Sequence, residues 1–467
     1  MRVGLWLGLV RCLMPALSGR GVRRASDGHP QTGPVGIRGL LADTRPLSVP
    51  AFRRLWTANI VTVVGAQLTV VAVPAQIYAQ TGSSAYVGLT GVFGLVPLVV
   101  FGLYGGALAD VFDRRTILLV TTSGLIATSA LFWVQAAAGG IGVWPLLCLF
   151  SVQQAFFAVN QPTRSAVLPK LLPLDLLPAA NSLNMTVMQA GAIAGPLAAG
   201  VLIPVVGLEW LYLVDTVTLF ATLSAVVRLP RLPVLGVPPA GAPGVRAVVD
   251  GFAYLRHQPV LLMSFVVDIV AMVFGMPRAL FPEMADLDFG GPSEGGLAFA
   301  LLFAAIPAGA VLGGVLSGWV SRVDAHGRAV IVCILVWGLA ITGFGVAVGL
   351  ADLRGDGWQH LMLGVALAML MVGGAADMAS AAFRQAMLQG AASDDVRGRL
   401  QGVFIVVVVG GPRIADTAHG AAAAAVGTAA AAAGGGVLVV VGTVVAALAV
   451  PSFVRYRVTR GPADRTG

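Results

Sequence analysis

Twelve apolar runs, most of them about long enough to cross a bilayer, fill the chain from residue 55 to residue 453. They cover 55–80, 84–109, 116–138, 143–163, 176–206, 210–227, 259–280, 295–321, 329–350, 358–383, 400–426 and 429–453. A helix in hydrocarbon satisfies its backbone hydrogen bonds internally, which is why such runs read as spans. The boundary between the last two is the least marked, because residues 420–436 are nearly all alanine and glycine. Charged residues are only 11% of the chain and mean hydropathy is +0.88; soluble domains carry about 25% charge. So few charges cannot cover a water-exposed globule of 467 residues. The chain reads as an all-α polytopic membrane protein, with the lipid bilayer as its solvent.

The net charge of +8 comes from basic residues in short turns. Arg53/Arg54, Arg114/Arg115, Arg164 with Lys170, residues 228–256, Arg322/Arg328, Arg384/Arg397/Arg399 and Arg455/Arg457 fall at alternate turns. The opposite turns carry Glu209, Glu283, Asp286, Asp288 and Glu294, with Arg354 as the basic exception. The positive-inside rule then puts the arginine turns and both termini on the cytoplasmic side of the cell membrane. This accounts for the basic balance without nucleic acid. The cysteines Cys12, Cys148 and Cys333 and the five histidines are dispersed without ligand spacing. The sole lysine, Lys170, is not in a phosphate-binding loop. No metal, cofactor or ATP hydrolysis is expected, and a membrane enzyme would lack a reactive cluster.

A Pro/Gly-rich stretch, PRLPVLGVPPAGAPG, divides the runs six and six. The expected organisation is a disordered tail (1–50), a six-helix unit (51–228), a linker with an amphipathic surface helix (229–258), a second six-helix unit (259–455) and a tail (456–467). Echoes at similar offsets relate the halves: Gly106/Leu108 with Gly314/Leu316, Arg164/Asp175 with Arg384/Asp395, and Gly195-Pro196 with Gly411-Pro412. Such repeats are the signature of membrane transporters.

Residues 106–115, GALADVFDRR, resemble motif A of the major facilitator superfamily, between helices 2 and 3. Gly106, Leu108, Ala109, Asp110, Arg114 and Arg115 match; Val111 and Asp113 replace a basic position and a glycine. Small residues there allow close helix approach, and Asp110, Arg114 and Arg115 would latch the cytoplasmic side by pairing across the halves. GAIAGPLAAG, with Gly191, Gly195, Pro196 and Gly200, resembles motif C of exporters; generic helix packing is the competing account. The stretches RSAVLPKLLPLDLLPAANSLN, YLVD, FGMPRALFPEMA and RGRLQGVFIVVVVGGPR narrow the similarity to the enterobactin-exporter group and Tap-type multidrug:proton antiporters, over about residues 45–457. The resemblance implies a major facilitator fold of 12 transmembrane helices in two six-helix bundles. It implies a monomer without cofactor that exports a siderophore or amphipathic drug against entering protons. Many such antiporters carry an arginine inside helix 4; here that run has Gln153 and Gln154 and no arginine before Arg164. An importer of the same fold is the alternative.

An ionisable side chain at bilayer depth usually faces a cavity or a partner. Asp268, about 14 Å into its run at 1.5 Å per residue, is the first candidate for proton carrier, Asp377 the second and Asp215 the third. A structural ion pair or capped helix end competes, and for Asp215 it is preferred. Arg413 and Asp416, three apart on one face, are expected to pair with each other and are also substrate or gating candidates. Arg278, between Pro277 and a loop containing Pro282, is a substrate or gating candidate. Gln153, Gln154, Asn160 and Gln189, with bulky neighbours such as Phe157, Met185 and Met188, could line an adaptable pocket for a small-molecule substrate.

Overall fold

The computed structural model describes the backbone of residues 43–230, 253–292, 295–354, 357–391 and 394–457, and their side chains except at 103–111, 321, 354, 389–391 and 394–409. Long helices follow one another through these residues: α1 (Pro50–Thr81), α2 (Ser84–Val111), α3 (Arg114–Ala137), α4 (Val143–Leu171), α5 (Leu177–Val206), α6 (Leu208–Val227), α7 (Pro259–Gly275), α8 (Leu297–Val315), α9 (His326–Arg354), α10 (Gln359–Ala391), α11 (Asp394–Val426) and α12 (Thr428–Ala449). Eleven segments of the described residues are long and apolar enough to cross a membrane; α11, 33 residues long, is the twelfth long helix. The expected tails and linker fall largely outside the described residues. Arg45–Ser48, which the sequence assigns to the tail, form a 3-10 turn with Pro46 buried.

The breaks have local causes. Pro50 and Pro259 open α1 and α7, where the missing N–H costs nothing. Gly427, at φ +84°, separates α11 from α12 where the sequence left the boundary open, because a residue with a side chain rarely adopts that backbone. The run 259–280 is not one continuous helix. It stops at Gly275, before Met276-Pro277, and resumes as a 3-10 turn (Arg278–Leu280), a short helical turn and a π turn (Met284–Asp288). Pro277 lacks the N–H that would continue the ladder. The stretch with Pro282, read from sequence as a loop, is therefore a set of helical turns that Arg278 begins.

Within the first set, α1 packs on α5 and α6, α2 on α4, and α3 on α4 and α6; within the second, α9 packs on α10 and α12, α8 on α10, and α7 on α11 and α12. Between the sets, α2 lies along α11 and α5 along α8. Among the described residues the long helices thus form two sets of six that meet along α2–α11 and α5–α8. Trp337 is fully buried; its ring fits against Gly275 and Gly373, and its Nε1–H donates to the Ala271 carbonyl at 3.2 Å. Large apolar side chains such as Val217, Phe220, Leu339 and Leu448 remain exposed along the helices, an outer surface suited to lipid.

Candidate functional site

The chain's basic turns mark one end of the bundles, called here the arginine end. At the far end the two sets are pressed together. A side chain on Gly88, Gly91 or Gly420 would collide with backbone of the opposing helix, so α2 and α11 meet at backbone distance. Thr417 Oγ1 donates to the Gly88 carbonyl at 3.0 Å. Gly200 is packed on Gly296 and Ala300, and the Gly296 N–H donates to its carbonyl at 3.2 Å. Two carboxylates of the second set complete the seam: Glu283 accepts from the Ser84 N–H at 2.8 Å and Asp286 from the Tyr78 hydroxyl at 3.1 Å.

Below this seam lies a cavity of about 760 Å³ lined by both sets. Its lining runs from Thr90, Phe150, Arg278, Arg413 and Asp416 to Phe52, Trp56, Arg164 and Leu168 at the arginine end. Gln153, Gln154 and Asn160 line it as expected, as do Phe157, Met185 and Met188. Asn160 is tied back to α3, donating to Thr121 Oγ1 at 2.8 Å. Gln189 is not among the lining residues, because α5 turns Met185 and Met188 inward instead. Gly191 and Gly195 receive Val63 and Gln67 of α1, and Gly200 receives α8. The motif C-like glycines thus act here as packing surfaces, with Pro196 buried among them.

Arg413 and Asp416 do not pair with each other. Asp416 faces Arg278, Oδ2 to Nη2 at 3.6 Å. Arg413 Nη2 donates instead to Gln154 Oε1 on α4 at 3.3 Å, with its guanidinium 5.4 Å from the Phe150 ring centroid. The spacing of three put them on one helix face, but Arg278, brought over by the break in α7, takes the carboxylate. α4 has no arginine before Arg164, and the guanidinium beside Gln154 comes across the seam from α11.

Asp268 is buried and forms an ion pair with Arg384 of α10, whose other amino group lies 3.7 Å from Asp377. Two of the proton-carrier candidates therefore share one guanidinium. With both carboxylates ionised the trio carries a net charge of −1, and one added proton makes it neutral. The sequence treats Arg384 only as an orientation marker; its echo with Arg164 was the available signal. Arg164 also turns inward, donating to Asn59 Oδ1 at 3.0 Å.

Asp215 has no cationic partner among the described residues and is not a helix cap. Its Oδ2 accepts from Thr69 Oγ1 at 2.7 Å and Ser129 Oγ at 2.9 Å, and it lines the cavity. The ion pair or cap preferred from sequence is thus replaced by hydroxyl ligation, which α1 and α3 supply because Gly65 lets α6 approach. In motif A, Gly106 and Asp110 have side-chain positions outside the described residues. Asp113 caps α3, its Oδ1 accepting the Arg115 N–H at 2.8 Å. Arg115 Nη2 donates to the Val227 carbonyl at 2.6 Å, at the end of α6. Arg115 is therefore held within its own bundle here rather than across the halves, since a helix C-terminus offers free carbonyls.

Residues 42–458 match the transmembrane secretion effector family. The chain belongs to that family. The chain is 27% identical over 373 residues to the enterobactin exporter EntS of Shigella boydii serotype 18, covering 78% of this chain and 83% of that protein. Identity to EntS of Escherichia coli O1:K1 is 26% with the same coverage. Among solved structures, a peptide transporter POT in complex with alafosfalin aligns with TM-score 0.68 at 14% identity, over 91% of this chain and 97% of that one. A bacterial homolog of the human lysosomal transporter Spinster, inward-facing and unoccupied, aligns with TM-score 0.67 at 14% identity, over 90% and 100%. The protein is a multi-pass secondary transporter of major facilitator fold.

Proposed function

We propose that this transporter exports a bulky amphipathic compound of the siderophore class across the cell membrane, driven by proton entry. The observation that carries this reading is the cavity of about 760 Å³ between the bundles, sealed at the far end and lined down to the arginine end. The positive-inside rule makes the arginine end cytoplasmic, with both termini there. The state is then the one that loads cargo from inside. Amides, methionines and aromatic rings in one lining suit a compound with polar and apolar parts, and the relatives named enterobactin exporters favour a siderophore. Rocking of the bundles about the α2–α11 and α5–α8 contacts would open the other side. Asp110 and Arg114 of motif A would latch the cytoplasmic side in that second state.

The Asp268–Arg384–Asp377 trio supports proton coupling. Buried Cys333 of α9 is a further titratable group within electrostatic reach of Asp377. Gain or loss of one proton switches the trio between neutral and −1, a change whose cost inside the membrane depends on how the bundles are packed. The test is efflux from proteoliposomes loaded with a catechol siderophore. Acidifying the exterior should accelerate loss of the compound. Retention of the siderophore would overturn the cargo, and efflux indifferent to the gradient would overturn the coupling.

A further inference from the structure

The geometry points to an anion clasp at the closed end of the cavity: Arg413 and Arg278 take a carboxylate or phenolate of the cargo. This inference rests on the transport reading above and adds the charge of the cargo to it. Two guanidiniums line this end with one carboxylate, Asp416. Arg278 and Asp416 are 3.6 Å apart, longer than a hydrogen bond, and Arg278 Nε is buried with no hydrogen-bond partner. Arg413 donates to one neutral amide, Gln154, and packs on Gly94 and the face of Phe150; no carboxylate of the described residues lies within 4.0 Å of it. A guanidinium offers five N–H donors in a planar fork that fits a carboxylate bidentately. Most of those of Arg413 are therefore available to a ligand. Asp416 keeps the cavity from holding two uncompensated cations, and it makes no ion pair with Arg413 within 4.0 Å. Gln154 and Phe150 belong to the first bundle and Arg413 to the second, so an anion held here sits on the seam that moves in transport.

The experiment uses the purified full-length protein and two probes sharing one ring, the salicylate anion and neutral salicylamide. Wild type should bind salicylate about tenfold tighter or more, the order of a charge-assisted hydrogen bond. In Arg413→Gln and in Arg278→Gln that preference should fall to within about twofold, while Arg413→Lys keeps part of it because charge remains and the fork is lost. Asp416→Asn should strengthen salicylate binding by freeing Arg278. Thermal unfolding reports whether each variant is folded. Repeating the measurement in chloride and in gluconate separates a cargo anion from a free inorganic one; a preference that vanishes in chloride overturns the clasp for cargo. Equal binding of the two probes by wild type, no salicylate binding, or an unchanged preference in the folded glutamine variants overturns it too. Absence of siderophore efflux with the salicylate preference intact would overturn the transport reading and leave the clasp standing.

Discussion

Asp268 on α7 and Arg384 on α10 form a buried ion pair whose counterpart in the other bundle lacks the carboxylate. There Asn59 on α1 faces Arg164 on α4. Asn59 and Asp268 each lie nine positions after the proline that opens their helix, Pro50 and Pro259. The duplicated halves thus hold the same contact, once without and once with a carboxylate. That difference is the reason the proposed proton coupling is assigned to the second bundle.

Asp268→Asn should fold, because it recreates the Asn–Arg contact of the first bundle. Its siderophore efflux should lose acceleration by an acidic exterior while facilitated exchange persists. Flux measured with and without a pH gradient decides; gradient-driven efflux at the wild-type rate would refute the assignment.

Arg384→Gln should be far more damaging, since it leaves Asp268 and Asp377 together without a counter-charge. Breaking a buried pair from one side costs about 3–5 kcal/mol. Adding Asp268→Asn to Arg384→Gln should restore much of the loss, which a thermal unfolding series in detergent would read.

Gly91→Ala should push α2 off α11, because the new methyl would meet the Arg413 carbonyl and Thr417. The far end should then open more readily. Spin labels at the far ends of the two helices should report a longer distance in this variant, and an unmoved distance would show that the seam does not depend on this contact.

Asp113→Ala should destabilise the start of α3 by about 1 kcal/mol, as loss of an N-cap does. Asp113→Gly, the residue usual in motif A, should cost only a few tenths. The difference is measurable as a shift in unfolding midpoint with transport retained.

Thr69→Val and Ser129→Ala should each cost about 1–3 kcal/mol by removing a hydroxyl bound to a buried carboxylate. Asp215→Asn, which keeps an acceptor for those hydroxyls, should cost less than either. Unfolding midpoints of the three variants test the order.

Buried Arg384 was not singled out; the run of long helices, their division into two sets and the other ionisable groups around the cavity were legible in the sequence. They depend on local hydropathy and on spacing, which a chain carries without its fold. The break after Gly275, inside a run read as one span, was missed although Pro277 marks it, and its consequence was missed with it. A bend changes where every later side chain points, so Arg278 reached Asp416 and freed Arg413. Gln189 was misplaced for a similar reason: an apolar span shows little periodicity, so the cavity face of α5 cannot be told from its lipid face.

By itself, then, the sequence determined that this chain must be solved in lipid as two related bundles, because its runs leave too little charge for water and the bilayer demands internally bonded helices. Only the tertiary structure decided which charges neutralise which. Arg384 could be an orientation marker or a buried partner, and Asp215 a salt bridge or a hydroxyl-bound carboxylate. Those choices depend on distances between helices far apart in the chain, and in a low-dielectric interior a few ångströms decide which partner a charge takes.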